Sequence, residues 1–263
     1  GPACGGRILS QERIRIRMEL LVALGWGLIA GSALVIGALV GWFAKPGQRV
    51  TAAIMAFGSG VLISAIAFDL MDEARLTGGL LPTGAGFLVG ATIFSIGSAL
   101  LARYGGRHRK RSYPPGHGDD AAPVAIALGS IIDGIPESIV IGLSLIDGQG
   151  VAVATVIAVF LSNVPEGLSS TVGMKRNGFG FAYVFALWTG IACMCGLGSL
   201  IGFTVFDTLP LEAVAVMQGI AAGAMLAMIA DTMIPEAFAA TRNASGLITA
   251  AGFLLAFVLS HQL

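Results

Sequence analysis

Two long apolar stretches of the chain each contain a glutamate directly after a proline. One stretch reads IDGIPES at residues 132–138, and the other reads SNVPEG at residues 162–167. An ionisable side chain at membrane depth is costly, so it marks a functional site by default. A proline inside a helix also leaves the carbonyl four residues earlier without its hydrogen bond, which here concerns Ile132 and Leu161. The two segments therefore predict an oxygen-lined cation site between two kinked transmembrane helices.

Helical spacing predicts which side chains join this site. Asp133 and Glu137 are four residues apart, as are Ser162 and Glu166, so each pair shares one helix face. Asn163 lies about one turn from Glu166. The short link between the two stretches makes them antiparallel neighbours, which allows these faces to meet. The predicted metal ligands are Asp133, Glu137, Ser162, Asn163 and Glu166.

The predicted ligand atoms are all oxygens, which limits the kind of ion. Carboxylate, amide and hydroxyl oxygens suit hard ions such as Mg, Ca and Mn, whereas imidazole and thiolate suit Zn and Cu. Close acids repel one another unless a cation binds or a proton is shared, so cation binding is expected to be proton-sensitive. The alternative is that Glu137 and Glu166 are neutral, hydrogen-bonded packing groups. The same Pro-Glu order in both stretches argues against that alternative.

Composition excludes a soluble globular protein. Of the 263 residues, 56% are hydrophobic and 11% are charged, and the mean hydropathy is +0.86. Soluble domains carry about 25% charged residues. A polytopic protein of the lipid bilayer is the class that fits, and the 38 glycines are typical of helices that pack closely in lipid. The formal net charge of zero gives no argument for a nucleic-acid partner.

The apolar segments predict an all-α membrane protein. Eight spans of roughly the 20 residues that a bilayer requires are predicted at 19–43, 50–71, 83–104, 122–146, 151–173, 180–206, 211–235 and 244–262. Residues 1–263 then form a single transmembrane domain. Most Lys and Arg residues fall on the side of the loop at 105–120, which places that loop in the cytoplasm and both termini outside.

An internal repeat predicts how the spans are arranged. Span two reads GVLISAIAFDLMDEA from Gly60, and span seven reads GAMLAMIADTMIPEA from Gly223. These spans run in opposite directions, so spans 1–3 and 6–8 are predicted to be inverted halves around spans 4 and 5, a 3+2+3 arrangement. Transporters use this design with a site near the bilayer midplane. Asp69 and Asp231 lie deep enough to line a path to the site, whereas Asp72 is expected to be a solvated helix-end charge.

The Pro-Glu motifs on spans 4 and 5, together with the His-bearing loop before them, resemble the ZIP (Zrt-, Irt-like) divalent metal transporters. The bacterial GufA-type branch is the nearest match. The resemblance implies that Glu137 and Glu166 bridge the metal, and that Zn, Fe, Mn or Cd is carried as substrate toward the cytoplasm, with no separate cofactor. It also implies a bacterial inner-membrane location, a homodimer, and sliding of spans 1, 4, 5 and 6 against spans 2, 3, 7 and 8.

The chain departs from the family pattern at four positions. On span 4, Asp133 stands where the family has His, and Gly134 stands where it has Asn. On span 5, Ser162 stands where the family has His or Gln, and on span 6 Cys195 stands where a related branch has Glu. Ligand chemistry alone then favours a harder ion such as Mn. Two alternatives stay open. One is a ZIP-fold protein that acts as a sensor or carries another substrate. The other is an intramembrane protease with two catalytic acids, which the missing Gly-x-Gly-Asp signature disfavours.

Two further features bear on metal binding. His108 and His117 of the cytoplasmic loop are a weak signal for metal capture, and a solvated loop is the simpler interpretation. Cys193 and Cys195 lie two residues apart in an apolar helix, so they are expected to face different directions as small packing residues.

Overall fold

Every regular element that the structure describes is helical. A computed structural model describes residues 2–44, 46–103, 131, 134–135, 137–145, 153–206 and 209–262. The helices are α1 Pro2–Phe43, α2 Gln48–Ser64, α3 Met71–Gly78, α4 Leu80–Arg103, α5 Val153–Arg176, α6 Phe181–Phe206, α7 Leu211–Met228, α8 Ile234–Thr241 and α9 Ser245–Gln262. A π-helical turn, Ala65–Leu70, joins α2 to α3, and a second, Ile229–Met233, joins α7 to α8. Within the fourth predicted span, residues 137–143 are helical.

Several helices are long and apolar enough to cross a membrane. In the described part of the chain they are Arg17–Phe43, Gln48–Gly78, Leu80–Leu100, Phe181–Thr204 and Leu211–Ser260. The last run has 50 residues, about 75 Å of helix at 1.5 Å per residue against a hydrocarbon core of about 30 Å. It is therefore long enough to cross a membrane more than once. A break lies at Arg242, where φ is 49°. The prediction of an all-helical, multi-pass membrane protein is confirmed.

Helix packing divides the described residues into two groups. The first group, called the bundle, consists of α1, α5, α6 and the 137–145 segment. In it, α1 packs along both α5 and α6. The 137–145 segment packs on α6, where Ser138 contacts Gly198. The second, called the frame, consists of α2–α4 and α7–α9, in which α2 packs on α9 and α4 on α7. The two groups meet where α2 contacts α5 and where Leu143 contacts Val214 of α7.

Glycines allow the helices of the bundle to approach closely. A methyl group on Gly27 of α1 would lie 2.7 Å from the carbonyl oxygen of Cys195, and one on Gly31 would lie 2.9 Å from the Cα of Ala192. Real Cβ atoms do not approach other atoms so closely, so only glycine fits at these positions. The helix packing predicted from the glycine content is confirmed here.

Candidate metal site

Both motif glutamates line one small cavity between the bundle and the frame. The residues around it are Met55, Glu137, Ser162, Glu166, Met228 and Met233. Glu137 is 2% exposed and Glu166 is 8% exposed. The volume open to the centre of a water-sized sphere is about 10 Å³, about the size that holds one water molecule. The cavity therefore matches a single small ion and not a larger organic ligand.

Local structure explains how α5 presents its acid. The helix runs without interruption through Pro165, which immediately precedes Glu166. The carbonyl of Leu161, which Pro165 leaves without its usual donor, packs against Gly58 of α2. Ser162 lies one turn before Glu166, and its Oγ donates to the carbonyl oxygen of Val159 at 2.8 Å. The hydroxyl oxygen can still accept or coordinate, because its proton is already used.

Asn163 is buried near the cavity but is not among the residues that line it. Its Nδ2 donates to the carbonyl oxygen of Ala30 in α1 at 3.2 Å, and the residue is 3% exposed. This hydrogen bond ties α5 to α1 within the bundle. The structure therefore brings together three of the predicted ligands, Glu137, Ser162 and Glu166, and directs the amide nitrogen of the fourth toward α1.

Asp133, the fifth predicted ligand, lies outside the described residues, as do Pro136 and the loop at 105–120 with His108 and His117. Among the residues whose positions the structure describes, no group of three or more His, Cys, Asp or Glu side chains is arranged to hold a metal. Of the described residues, Glu137 and Glu166 are the acids that line the cavity.

Three methionines line the cavity beside the glutamates, and sequence reasoning did not predict them. Met55, Met228 and Met233 line the cavity, although they lie far from the Pro-Glu motifs along the chain. Cys195 is buried, its thiol is hydrogen-bonded to Ser138, and it lies close enough to both glutamates to interact with their charges. Cys193 is exposed, so the prediction that the two cysteines face different directions is confirmed.

The acids near the ends of spans two and seven occupy different environments. Asp69, within the π-helical turn Ala65–Leu70, is partly buried and accepts a hydrogen bond from the hydroxyl of Ser260 in α9. Asp72 is exposed and pairs with Arg75 at 2.7 Å, which confirms that it is a solvated helix-end charge. Asp231 lies on the other π-helical turn and is exposed. Whether Asp69 or Asp231 lines a path to the site stays a prediction.

Comparison with known proteins identifies the family. The sequence pattern of the ZIP zinc transporter family matches residues 104–260, a range that contains all five predicted ligands. This chain belongs to the ZIP zinc transporter family. The resemblance drawn from the Pro-Glu motifs is therefore confirmed.

The ZIP membership is supported along most of the chain. The zinc transporter ZupT of Salmonella arizonae is 28% identical over 242 residues, which cover 80% of this chain and 84% of that protein. ZupT of Salmonella heidelberg is 28% identical over 250 residues, covering 83% and 87%, and ZupT of Shigella flexneri serotype 5b is 25% identical over 242 residues, covering 80% and 84%. The similarity thus extends N-terminal to the matched family range.

Proposed function

We propose that this ZIP protein carries a divalent metal cation across the bacterial inner membrane toward the cytoplasm, through the cavity between Glu137 and Glu166. One observation carries the proposal: two acids from different segments line the same cavity of ionic size, and both are almost fully buried. Buried carboxylates are expensive unless a counter-charge accompanies them. A divalent cation supplies that charge to both side chains at once. The substrate class is Zn, Fe, Mn or Cd, in keeping with relatives that are zinc transporters.

In this proposal each predicted ligand has a distinct role. Glu137 and Glu166 bind the cation directly, and the hydroxyl oxygen of Ser162 adds a neutral ligand. Asp133 is proposed as a further carboxylate ligand from its helical spacing to Glu137. Asn163 holds α5 against α1 through its hydrogen bond to Ala30 and so positions Glu166, which lies on the next turn of the same helix.

We also propose that the chain has eight spans in an inverted 3+2+3 arrangement. The packing pairs support it. In this arrangement spans 1–3 are equivalent to spans 6–8, and span 4 is equivalent to span 5. The contact between α1 and α5 should then have an equivalent between α6 and the 137–145 segment. Likewise, the contact between α2 and α9 should have an equivalent between α7 and α4. All four contacts are present. The two π-helical turns also end at the same distance from the glycines that begin the repeat, since Leu70 and Met233 each lie ten residues after Gly60 and Gly223 respectively.

Transport in this arrangement would proceed by sliding of the bundle against the frame. The position of the cavity supports this mechanism, because the two glutamates belong to the bundle and the methionines belong to the frame. Movement of the bundle would carry the carboxylates and their cation along the surface of the frame. The homodimer and the external position of both termini stay expectations.

The test is metal uptake by proteoliposomes that contain Glu137→Gln or Glu166→Gln. Each change keeps the shape of the side chain and removes the charge that offsets desolvation of the cation, so each variant should lose Zn²⁺ uptake. Glu212→Gln is the matched control, because Glu212 is an exposed acid in the first turn of α7, and it should transport normally.

Two outcomes would contradict the proposal. Full uptake by both site variants would show that the cavity is not the transport site. A wild-type protein that binds Zn²⁺ but transports no divalent ion would favour the alternative of a metal sensor.

A further inference from the structure

Met228 and Met233 both line the cavity although they are five residues apart. In an α-helix with 3.6 residues per turn, a spacing of five corresponds to a rotation of about 140° beyond a full turn. Two such side chains would point to different sides of the helix. A regular helix over this stretch could therefore not place both methionines in one small cavity.

The π-helical turn Ile229–Met233 resolves this conflict. The N–H of Ile234 donates to the carbonyl of Ile229, five residues earlier, in place of the usual four. In a π-helix, residues five apart are neighbours on one face, because the hydrogen bond connects i to i+5. The extra residue in this turn thus brings Met233 onto the same side as Met228. Such turns are rare and frequently occur at functional sites.

The methionines and the carboxylates reach the cavity from different helix groups. Met228 is 2% exposed and Met233 is 4% exposed, and both belong to the frame, whereas Glu137 and Glu166 belong to the bundle. Thioether sulfur is a soft ligand, whereas carboxylate oxygen is a hard one. The cavity therefore combines residues with hard oxygen donors and residues with soft sulfur donors. The Pro-Glu motifs predicted only the oxygen donors.

We propose that Met228 and Met233 are metal ligands of the cavity and that they favour soft and borderline ions, Cd²⁺ and Zn²⁺, over the hard ion Mn²⁺. The inference rests on the proposed function of Glu137 and Glu166, which supply the charge that holds any divalent ion. The thioethers carry no charge, so they contribute little to the hold on Mn²⁺. In this proposal the methionines of the frame determine which divalent ion is preferred, and the glutamates of the bundle provide the affinity for any divalent ion.

The test compares Met228→Leu, Met233→Leu and the double variant with wild type. Leucine keeps nearly the same volume and removes the sulfur, and such swaps are usually well tolerated. Met225→Leu is the matched control, because Met225 is 2% exposed on the same helix and is not among the residues that line the cavity. The purified proteins are loaded with Cd²⁺ for X-ray absorption, and competitive uptake of Cd²⁺ and Mn²⁺ is measured in proteoliposomes.

The double variant should show weaker Cd–S scattering, since Met55 also lines the cavity, and a several-fold lower ratio of Cd²⁺ to Mn²⁺ uptake, because Cd²⁺ uptake should fall more than Mn²⁺ uptake. Each single variant should show part of this change, and Met225→Leu should behave as wild type. Gel filtration and thermal unfolding of the single variants verify that they are folded.

Unchanged Cd–S scattering and an unchanged uptake ratio in folded variants would overturn the inference. Equal losses of Cd²⁺ and Mn²⁺ uptake with unchanged scattering would also overturn it, because they would show that the methionines only fill space. Failure of the proposed function looks different: there the wild type takes up no divalent ion, or Glu137→Gln and Glu166→Gln keep full uptake.

Discussion

The bundle and the frame are packed more tightly inside than against each other. Within the frame, a methyl group on Gly60 of α2 would overlap the carbonyl oxygen of Thr249 in α9, and within the bundle one on Gly37 of α1 would overlap the carbonyl oxygen of Val164 in α5. Across the boundary, a methyl group on Gly58 of α2 would lie 3.2 Å from the carbonyl oxygen of Leu161 in α5. The contact at Gly58 is therefore looser than these contacts inside the two groups, which is compatible with the proposed sliding of the bundle against the frame.

The two groups also differ in what they present to the cavity. The bundle contributes buried polar groups, namely Glu137, Ser162 and Glu166, whereas the frame contributes Met55, Met228 and Met233. If the proposed sliding mechanism is correct, the carboxylates move with the bundle while the methionines stay with the frame, so the proposed site is complete only when the two groups face each other as they do here.

The largest effect on stability should come from adding a methyl group to a closely packed glycine inside the bundle or the frame. Gly60→Ala forces a methyl group into the carbonyl of Thr249 and should cost about 1–3 kcal/mol, as overpacking of a close-packed core does. Gly58→Ala, only two residues away, should cost less, because Leu161 needs to shift by only a few tenths of an ångström. Thermal unfolding in detergent measures both. Equal losses would mean that the boundary is as tight as the interior of the frame.

A smaller effect is expected at the end of the bundle where α1 meets α5. Lys175 Nζ donates to the carbonyl oxygen of Trp42 at 2.7 Å and lies 4.6 Å from the centre of its ring. Lys175→Met keeps the aliphatic stem and removes the charged donor, so it should lower the free energy of unfolding by about 1.5 kcal/mol. Trp42→Phe retains the backbone acceptor and an aromatic ring, and should cost less. If Lys175→Met unfolds like wild type, this contact does not hold the two helices together.

The smallest effect on stability is expected for Arg75, a cationic residue of the frame. Arg75 pairs with Asp72 on an exposed surface, with side-chain exposures of 49% and 54%. Surface ion pairs of this kind contribute about 0.2–1 kcal/mol, so Arg75→Gln should change stability by less than Lys175→Met. The same unfolding measurement provides the comparison. A larger loss of stability for Arg75→Gln than for Lys175→Met would show that the exposed ion pair contributes more than the part-buried contact of Lys175.

The amino-acid sequence by itself determined the features that depend on local spacing. Apolar length predicted helices close to the observed bounds, such as 180–206 for Phe181–Phe206. Helical periodicity placed Ser162 and Glu166 on one face, and both line the cavity. The spacing of Cys193 and Cys195 separated an exposed side chain from a buried one. These predictions hold because helix geometry is set by backbone hydrogen bonds within a few residues.

Only the tertiary structure decided which distant side chains line the cavity with the two glutamates. No periodicity of a regular helix connects Met228 with Met233, because a π-helical turn inserts an extra residue between them. Asn163 has the spacing of a ligand, but its amide nitrogen donates to Ala30, 133 residues earlier in the chain. Contacts of this kind depend on how whole helices pack, and packing is decided by the shapes of all the surfaces that meet. A local pattern contains no information about those surfaces.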